Sequence, residues 1–278
     1  MLILAAALSF IMGITLGLLG GGGSILTVPI LTEVIGLPGK EAIATSLLVV
    51  GATAAISTFP HARAGNVDWS TGLVFAVFAM AGSYVGGRLA VFISATILLI
   101  LFALLMVVTA AAMLRKKADP PGSEPTERKM SVPKVAIEGL VVGAVTGLVG
   151  AGGGFLVVPA LVVFGGVPMR RAVGTSLLVI ALKSFTGYFG HAAHTTIDWE
   201  LTGLVTAAAV VGTFVGVALV RRLDPNVLRR AFAYFVLVMG VLFMAKQVSV
   251  LVSGDAHPEE AAEHARLAPY APLDASKR

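Results

Sequence analysis

No cysteine occurs among the 278 residues, which excludes disulfides, thiolate metal sites and sulfur redox chemistry. Charge is scarce too. Asp, Glu, Lys and Arg supply 13% of the chain against 57% apolar residues, and the mean hydropathy is +0.93. Soluble domains carry about a quarter charged residues, so this balance points away from a soluble fold. What the chain has instead is a set of long apolar runs with almost no charge inside them, clearest at 2–19, 67–87, 91–114 and 227–245. Crossing a hydrocarbon core takes roughly 20 apolar helical residues, so these runs read as membrane spans. The first has no basic segment before it and is followed by more membrane-like sequence, which favours a retained span over a cleaved signal. The formal charge of +5 reports little about partners, because the basic residues gather at segment ends. A nucleic-acid partner would need a basic soluble face that this composition lacks.

The chain is also a duplication. Shifted by 130 positions, it aligns with itself without a gap from Gly13 to Gly86. "GLLGGGGSILTVPI" from Gly17 meets "GLVGAGGGFLVVPA" from Gly147, and "ATSLLVV" from Ala44 meets "GTSLLVI" from Gly174. His61 meets His191, Asp68-Trp69 meets Asp198-Trp199, and Gly82 and Gly86 meet Gly212 and Gly216. The organisation expected is a first membrane repeat over 1–114, a charged, proline-rich linker over 115–134, a second repeat over 135–247 and a polar, loosely ordered tail over 248–278. Each repeat reads as a long apolar run, a glycine cluster, a short run and three longer segments. In the first these are 2–19, 25–35, 40–59, 69–91 and 93–114; in the second, 135–149, 155–164, 170–189, 199–220 and 227–246. The short member has about 11 residues, enough to cover only half a bilayer.

Basic residues orient the repeats. Arg115, Lys116, Lys117, Arg128, Lys129 and Lys134 put the linker in the cytoplasm under the positive-inside rule. Counting onward with each glycine-broken pair entering and leaving on one side, Arg170-Arg171 and the turn with Arg221, Arg222, Arg229 and Arg230 fall inside. Counting backward, the Arg63 loop falls inside, while Lys40 is a single residue against the rule. The halves are then oppositely inserted, with both termini periplasmic. The fold class expected is all-α, a polytopic membrane protein of two inverted-topology repeats, each with a glycine-broken helix pair and three transmembrane helices.

Backbone that leaves helical geometry in a bilayer survives only where it is buried or lines a watery cavity. Two such breaks in inverted halves converge near the midplane, where secondary transporters bind substrate. The candidate substrate-binding residues are accordingly Gly20, Gly21, Gly22, Gly23 and Ser24 in the first break and Gly150, Gly152, Gly153 and Gly154 in the second. Short helices starting at about Ser24 and Gly154 would turn their first amides and positive dipole ends toward an anion. Close packing is the competing use of glycine, and it is the reading adopted for Gly82-x-x-x-Gly86 and Gly212-x-x-x-Gly216. Neither cluster reads G-x-G-x-x-G, so a dinucleotide loop is set aside and no cofactor is expected.

Thr45, Ser46, Thr175 and Ser176 add hydroxyls in register within each third segment, with bonding to a helix carbonyl the ordinary alternative. Lys183 lies thirteen residues past Arg170, about 20 Å along a helix, too deep to reach water easily from that side. As a cation it would complement an anion; as a neutral amine it could relay a proton. Its counterpart is Thr53. Glu33 and Glu138 are further proton-carrier candidates near segment ends. His61 and His191 read as interfacial, and His191-x-x-His194 lacks a third ligand, so no metal site is expected. Asp68-Trp69 and Asp198-Trp199 read as a helix cap followed by an interface-anchoring indole.

On the strength of "GLLGGGGSILTVPIL", "GLVGAGGGFLVVPAL", "ATSLLVV" and "GTSLLVI", the chain resembles the sulfite exporter TauE/SafE family from Gly13 to about Lys246. The resemblance implies transport of small sulfur-containing anions such as sulfite, sulfoacetate or related organosulfonates across a bacterial inner membrane. The family's motif positions fall on Gly20, Gly22, Gly23, Pro29, Gly150, Gly152, Gly153 and Pro159. At Lys183 the family pattern is more often asparagine, which implies a different ligand charge or coupling here. The partners implied are a small anionic substrate and the lipid bilayer, with proton or ion coupling and a homodimer left open. An anion channel and an importer of another small oxyanion are the alternatives. An intramembrane enzyme is disfavoured because the paired Thr-Ser residues have no evident base.

Overall fold

The computed structural model describes residues 2–90, 92–93, 95–115, 131–149, 154–191 and 197–253. All regular structure among them is helical, as a chain must be that pairs its backbone internally in hydrocarbon. The elements are α1 (Leu2–Leu19), α2 (Gly23–Pro29) with a π-helical continuation (Ile30–Val34), α3 (Gly39–Arg63), α4 (Trp69–Ala90) and α5 (Ala95–Arg115). The second half repeats them as α6 (Val132–Val149), α7 (Gly154–Pro159) with its own π-helical continuation (Ala160–Phe164), α8 (Met169–His191), α9 (Trp199–Arg222) and α10 (Pro225–Ser253). Five of these, α3, α4, α8, α9 and α10, are long and apolar enough to cross a membrane; α1, α5 and the two short pieces contribute shorter apolar stretches. The molecule is a polytopic all-α membrane protein.

Two helices run past their sequence-based ends by four residues or more. α3 continues through Pro60, which removes one backbone donor without stopping the rod, and closes where Gly65 adopts φ +71. α10 reaches Ser253 because the apolar stretch from Val248 to Val252 continues the rod and nothing interrupts it before Gly254. Asp68 and Asp198 each accept from the amide three residues on, Thr71 and Leu201, at 3.0 Å, capping α4 and α9. Trp69 and Trp199 stand exposed beside them.

The packing alternates between halves. α1 lies chiefly against α9, and α6 lies against α4, so the first helix of each half is clasped by the fourth of the other. Small residues make this possible. A side chain at Gly13 would strike the Ala209 backbone and one at Gly17 that of Thr213, while Gly212 and Gly216 abut Phe10 and Ile14. Gly82 and Gly86 abut Leu140 and Ala144 in the matching contact of α4 with α6. The glycine stripes are helix-packing seams.

The same contacts give direction. Residues 13 and 17 meet 209 and 213 in ascending order, so α1 and α9 run parallel, as do α4 and α6. Equivalent helices behave differently. Gly51 faces Ser184 and Phe185 while Gly187 faces Leu47, so α3 and α8 run antiparallel. Phe102 meets Phe243 edge-on at 5.8 Å and Gly240 meets Met106, so α5 and α10 also run antiparallel.

Candidate functional site where α2 meets α7

The site begins where α1 stops. The Gly20 amide makes the last α-type bond, to Leu16 O at 2.8 Å, and Gly20 then takes φ +73, open to glycine at little cost. The chain reverses, and α2 folds back along α1, with Thr27 Oγ1 2.9 Å from Met12 Sδ. Two carbonyls at the break are met by side chains from other helices. Ser176 Oγ of α8 donates to Gly20 O at 2.8 Å, sharing its hydrogen with Val173 O at 2.7 Å, and His61 Nε2 of α3 meets Gly17 O at 3.2 Å. His61 is only 1% exposed, so it is packed inside the protein and does not face its surroundings. The break needs an N–H donor from α3, and the histidine supplies it. The side chain of His191 and all of His194 lie outside the described residues.

Gly21 and Gly22 are buried at the turn. A side chain on Gly21 would run into Gly154 and Phe155 of the other half, and one on Gly22 would touch the Phe235 ring of α10. Gly23 packs on Met12 and Leu16 of α1. Ser24 Oγ donates to Gly21 O at 2.7 Å and faces Gly154, where an added Cβ would come within 3.1 Å of it. No side chain caps α2, whose first amides reach Gly21 O and Gly22 O at 3.3 Å. Gly150, Gly152 and Gly153 lie outside the described residues, so of the second break only Gly154 is seen, buried at the start of α7.

Ser24 and Gly154 are equivalent positions of the duplication, and they touch. Equivalent residues meet only near the axis that relates two halves. The contacts between α3 and α8 centre near Ala52-Thr53 and Leu182-Lys183, again equivalent positions. Lys183 is therefore close to the same axis. It is half-buried, and its Nζ donates to Thr146 Oγ1 on α6, which in turn donates to Gly143 O at 3.0 Å. Thr53, its counterpart, is fully buried, and its hydroxyl has no hydrogen-bond partner among the described residues.

Of the paired hydroxyls, Ser176 caps the break and Thr175 Oγ1 accepts from the Asp68 amide at 3.0 Å, tying α8 to the turn before α4. Thr45 and Ser46 are buried at the matching place in α3. Thr146 was not singled out from the sequence. The signal was there, since Thr146 stands where the first half has Leu16 and Lys183 where it has Thr53. Two departures from the repeat, both polar, meet in space.

A helical membrane protein in which the first glycine turn and α2 meet the start of α7 now has its sequence relatives to set beside it. The family model for sulfite exporter TauE/SafE matches residues 5–243. The chain belongs to that family. Among its relatives, a probable membrane transporter protein of Xylella fastidiosa is 32% identical over 247 residues, covering 87% of this chain and 95% of the relative. The probable membrane transporter protein YdhB of Bacillus subtilis is 26% identical over 241 residues, 84% of this chain and 97% of the relative. A probable membrane transporter protein of Methanocaldococcus jannaschii is 29% identical over 255 residues, covering 84% and 92%. This family member is, at that level, a multi-pass membrane transporter.

Proposed function

We propose that the protein is a secondary transporter that exports small sulfur-containing anions, sulfite or organosulfonates such as sulfoacetate, by alternating access around the meeting point of its two glycine turns. The reading is of a transporter and not of an intramembrane enzyme. It rests on one observation above all, the contact of Ser24 with Gly154, equivalent residues near the axis relating the halves. If the halves are inserted oppositely, that axis lies in the plane of the bilayer, and the contact lies at mid-depth. The antiparallel runs of α3 with α8 and of α5 with α10 support opposite insertion. In this arrangement the linker is cytoplasmic, both ends of the chain are periplasmic, and the bilayer is the bacterial inner membrane.

Lys183 supplies the positive charge. Near the axis and anchored on Thr146, it gives an oxyanion a counter-charge where water is scarce and Coulomb attraction is strong. In this reading the halves separate during the cycle to admit the anion between the first turn and α7, where Ser24 and Ser176 supply hydroxyls at the turn, and Thr45, Ser46 and Thr175 are proposed as further hydroxyl contacts. The test is uptake of radiolabelled sulfite, sulfate and organosulfonates into proteoliposomes with an imposed pH gradient. The expected result is saturable sulfite or organosulfonate flux that responds to the gradient, with Lys183→Ala inserting normally and losing most of it. Undiminished flux in the variant would remove Lys183 from the site, and unsaturable flux indifferent to the gradient would point to a channel.

A further inference from the structure

On the reading that Lys183 lines the transport site, the protein's own charge there sets the charge of the cargo. Residues 1–32, 42–62, 139–169 and 172–197 cover both glycine clusters, both short helices and the bodies of α3 and α8. They hold no Asp, Glu or Arg and one Lys, which is Lys183. On α8 the nearest charged residues in sequence are Arg171, twelve before it, and Asp198, fifteen after it.

No other ionisable group bonds to it. Among the described residues its Nζ has one partner, the neutral Thr146 hydroxyl, which leaves two of the three ammonium hydrogens unused. On α6, Glu138 lies eight residues before Thr146, about 12 Å along the helix, and is paired with Lys134 at 4.0 Å. On α3, His61 stands against Gly174, nine residues and about 14 Å down α8 from Lys183, while Lys40, Glu41 and Arg63 lie at the helix ends. α4 places Met80 against Thr186, and its Tyr84 and Arg88 lie beyond that point. α7 and its π-helical continuation have no titratable side chain. Arg229, Arg230, Tyr234 and Lys246 of α10, and Tyr188 of α8, are not bonded to Lys183 either.

A cation without a counter-ion is costly at this depth. One bound negative charge cancels it, whereas a second negative charge is left as poorly answered as the lysine was before. Neutral donors nearby are already engaged. The hydroxyl hydrogens of Ser24, Ser176 and Thr146 go to the carbonyls of Gly21, of Gly20 and Val173, and of Gly143. The Ser24 and Ile25 amides reach Gly21 O and Gly22 O at 3.3 Å. The Thr53 hydroxyl, with no partner among the described residues, adds a donor and no charge.

We propose that the protein carries its cargo as a singly charged oxyanion. Sulfite then crosses as hydrogensulfite, with a proton taken from water on the loading side and released to water on the other. An organosulfonate with a second acid group crosses with that group protonated, and doubly charged sulfate is refused. The test uses the full chain in proteoliposomes, at equal and weakly buffered pH slightly above neutral on both sides. Potassium with valinomycin carries the compensating charge, a pH-sensitive dye fills the lumen, and protein-free vesicles give the baseline. Sulfite added outside is expected to acidify the lumen beyond that baseline, because entering hydrogensulfite gives up its proton there. Doubly charged sulfite would take protons up on entry, so a lumen that turns alkaline or stays unchanged while labelled sulfite accumulates would overturn the proposal. Excess sulfate is expected to change labelled sulfite uptake by less than about twofold. Competition by sulfate as strong as that by unlabelled sulfite would also overturn it. An absence of sulfite and organosulfonate uptake is a different result, since it removes the anion-carrier reading itself and this inference with it.

Discussion

At the residue scale, glycines that look alike in the sequence serve two unlike purposes, and the difference is measurable. A Cβ on Gly13 would meet main-chain atoms of Ala209, which cannot rotate away, so the helices themselves must separate. A Cβ on Gly36 would meet nothing within 4 Å, and the only cost is its φ of +82. Overpacking costs about 1–3 kcal/mol and more against backbone, whereas left-handed strain costs about 1–2 kcal/mol. Thermal unfolding in detergent should therefore show a clearly larger loss for Gly13→Ala than for Gly36→Ala. Equal losses would mean that the α1–α9 seam yields more readily than its contacts suggest. Lys183 belongs to this scale too. Its depth could be read from spacing alone, but its partner could not, because Thr146 is distant in sequence and an isolated threonine in a span is unremarkable. His61 escaped for the same reason, since what buries it is a carbonyl at the end of a helix from elsewhere in the chain.

At the scale of elements, the short second member of each half is an α-turn followed by a π-turn, and the proline stands at the junction. Pro29 and Pro159 have no amide to give. Beyond them the chain widens, with Ile35 N bonding Ile30 O at 3.2 Å and Gly165 N bonding Ala160 O at 3.0 Å. The spacing of apolar residues marked these pieces as half-length helices but carried no signal for the π geometry, which changes which side chains face inward without changing composition. Replacing Pro29 by Ala restores a donor and lets an ordinary α-helix run through, turning Ile30–Val34 relative to α1 and the start of α3. Proteoliposome flux should fall about tenfold, the effect of about 1.4 kcal/mol on a barrier, with the amount of inserted protein unchanged. Full flux would show that the π-turn is incidental. The longer elements were almost wholly legible, because an uncharged apolar run in a membrane has few alternatives to a helix.

For the whole molecule, duplication explains most of the architecture. Every major contact joins the two halves, α1 to α9, α4 to α6, α3 to α8 and α5 to α10, so neither half buries its own packing faces. The 130-residue offset was plain in the sequence, and so was the pairing of glycine stripes with close helix contacts. Which helix lies against which was not, since it depends on contacts between residues as distant as Gly13 and Ala209. One departure from the repeat brings Lys183 of α8 onto Thr146 of α6, where the first half has Thr53 and Leu16.

The central claim is that the halves enter the bilayer in opposite senses, which brings their glycine turns together at mid-depth. Ser70 and Glu200 are equivalent, exposed and in the first turns of α4 and α9, and the native chain has no cysteine to interfere. Single cysteines at these two positions should be labelled by an impermeant thiol reagent from opposite faces, Glu200→Cys in intact cells and Ser70→Cys only once the membrane is opened. Labelling of both from the same face would contradict the account.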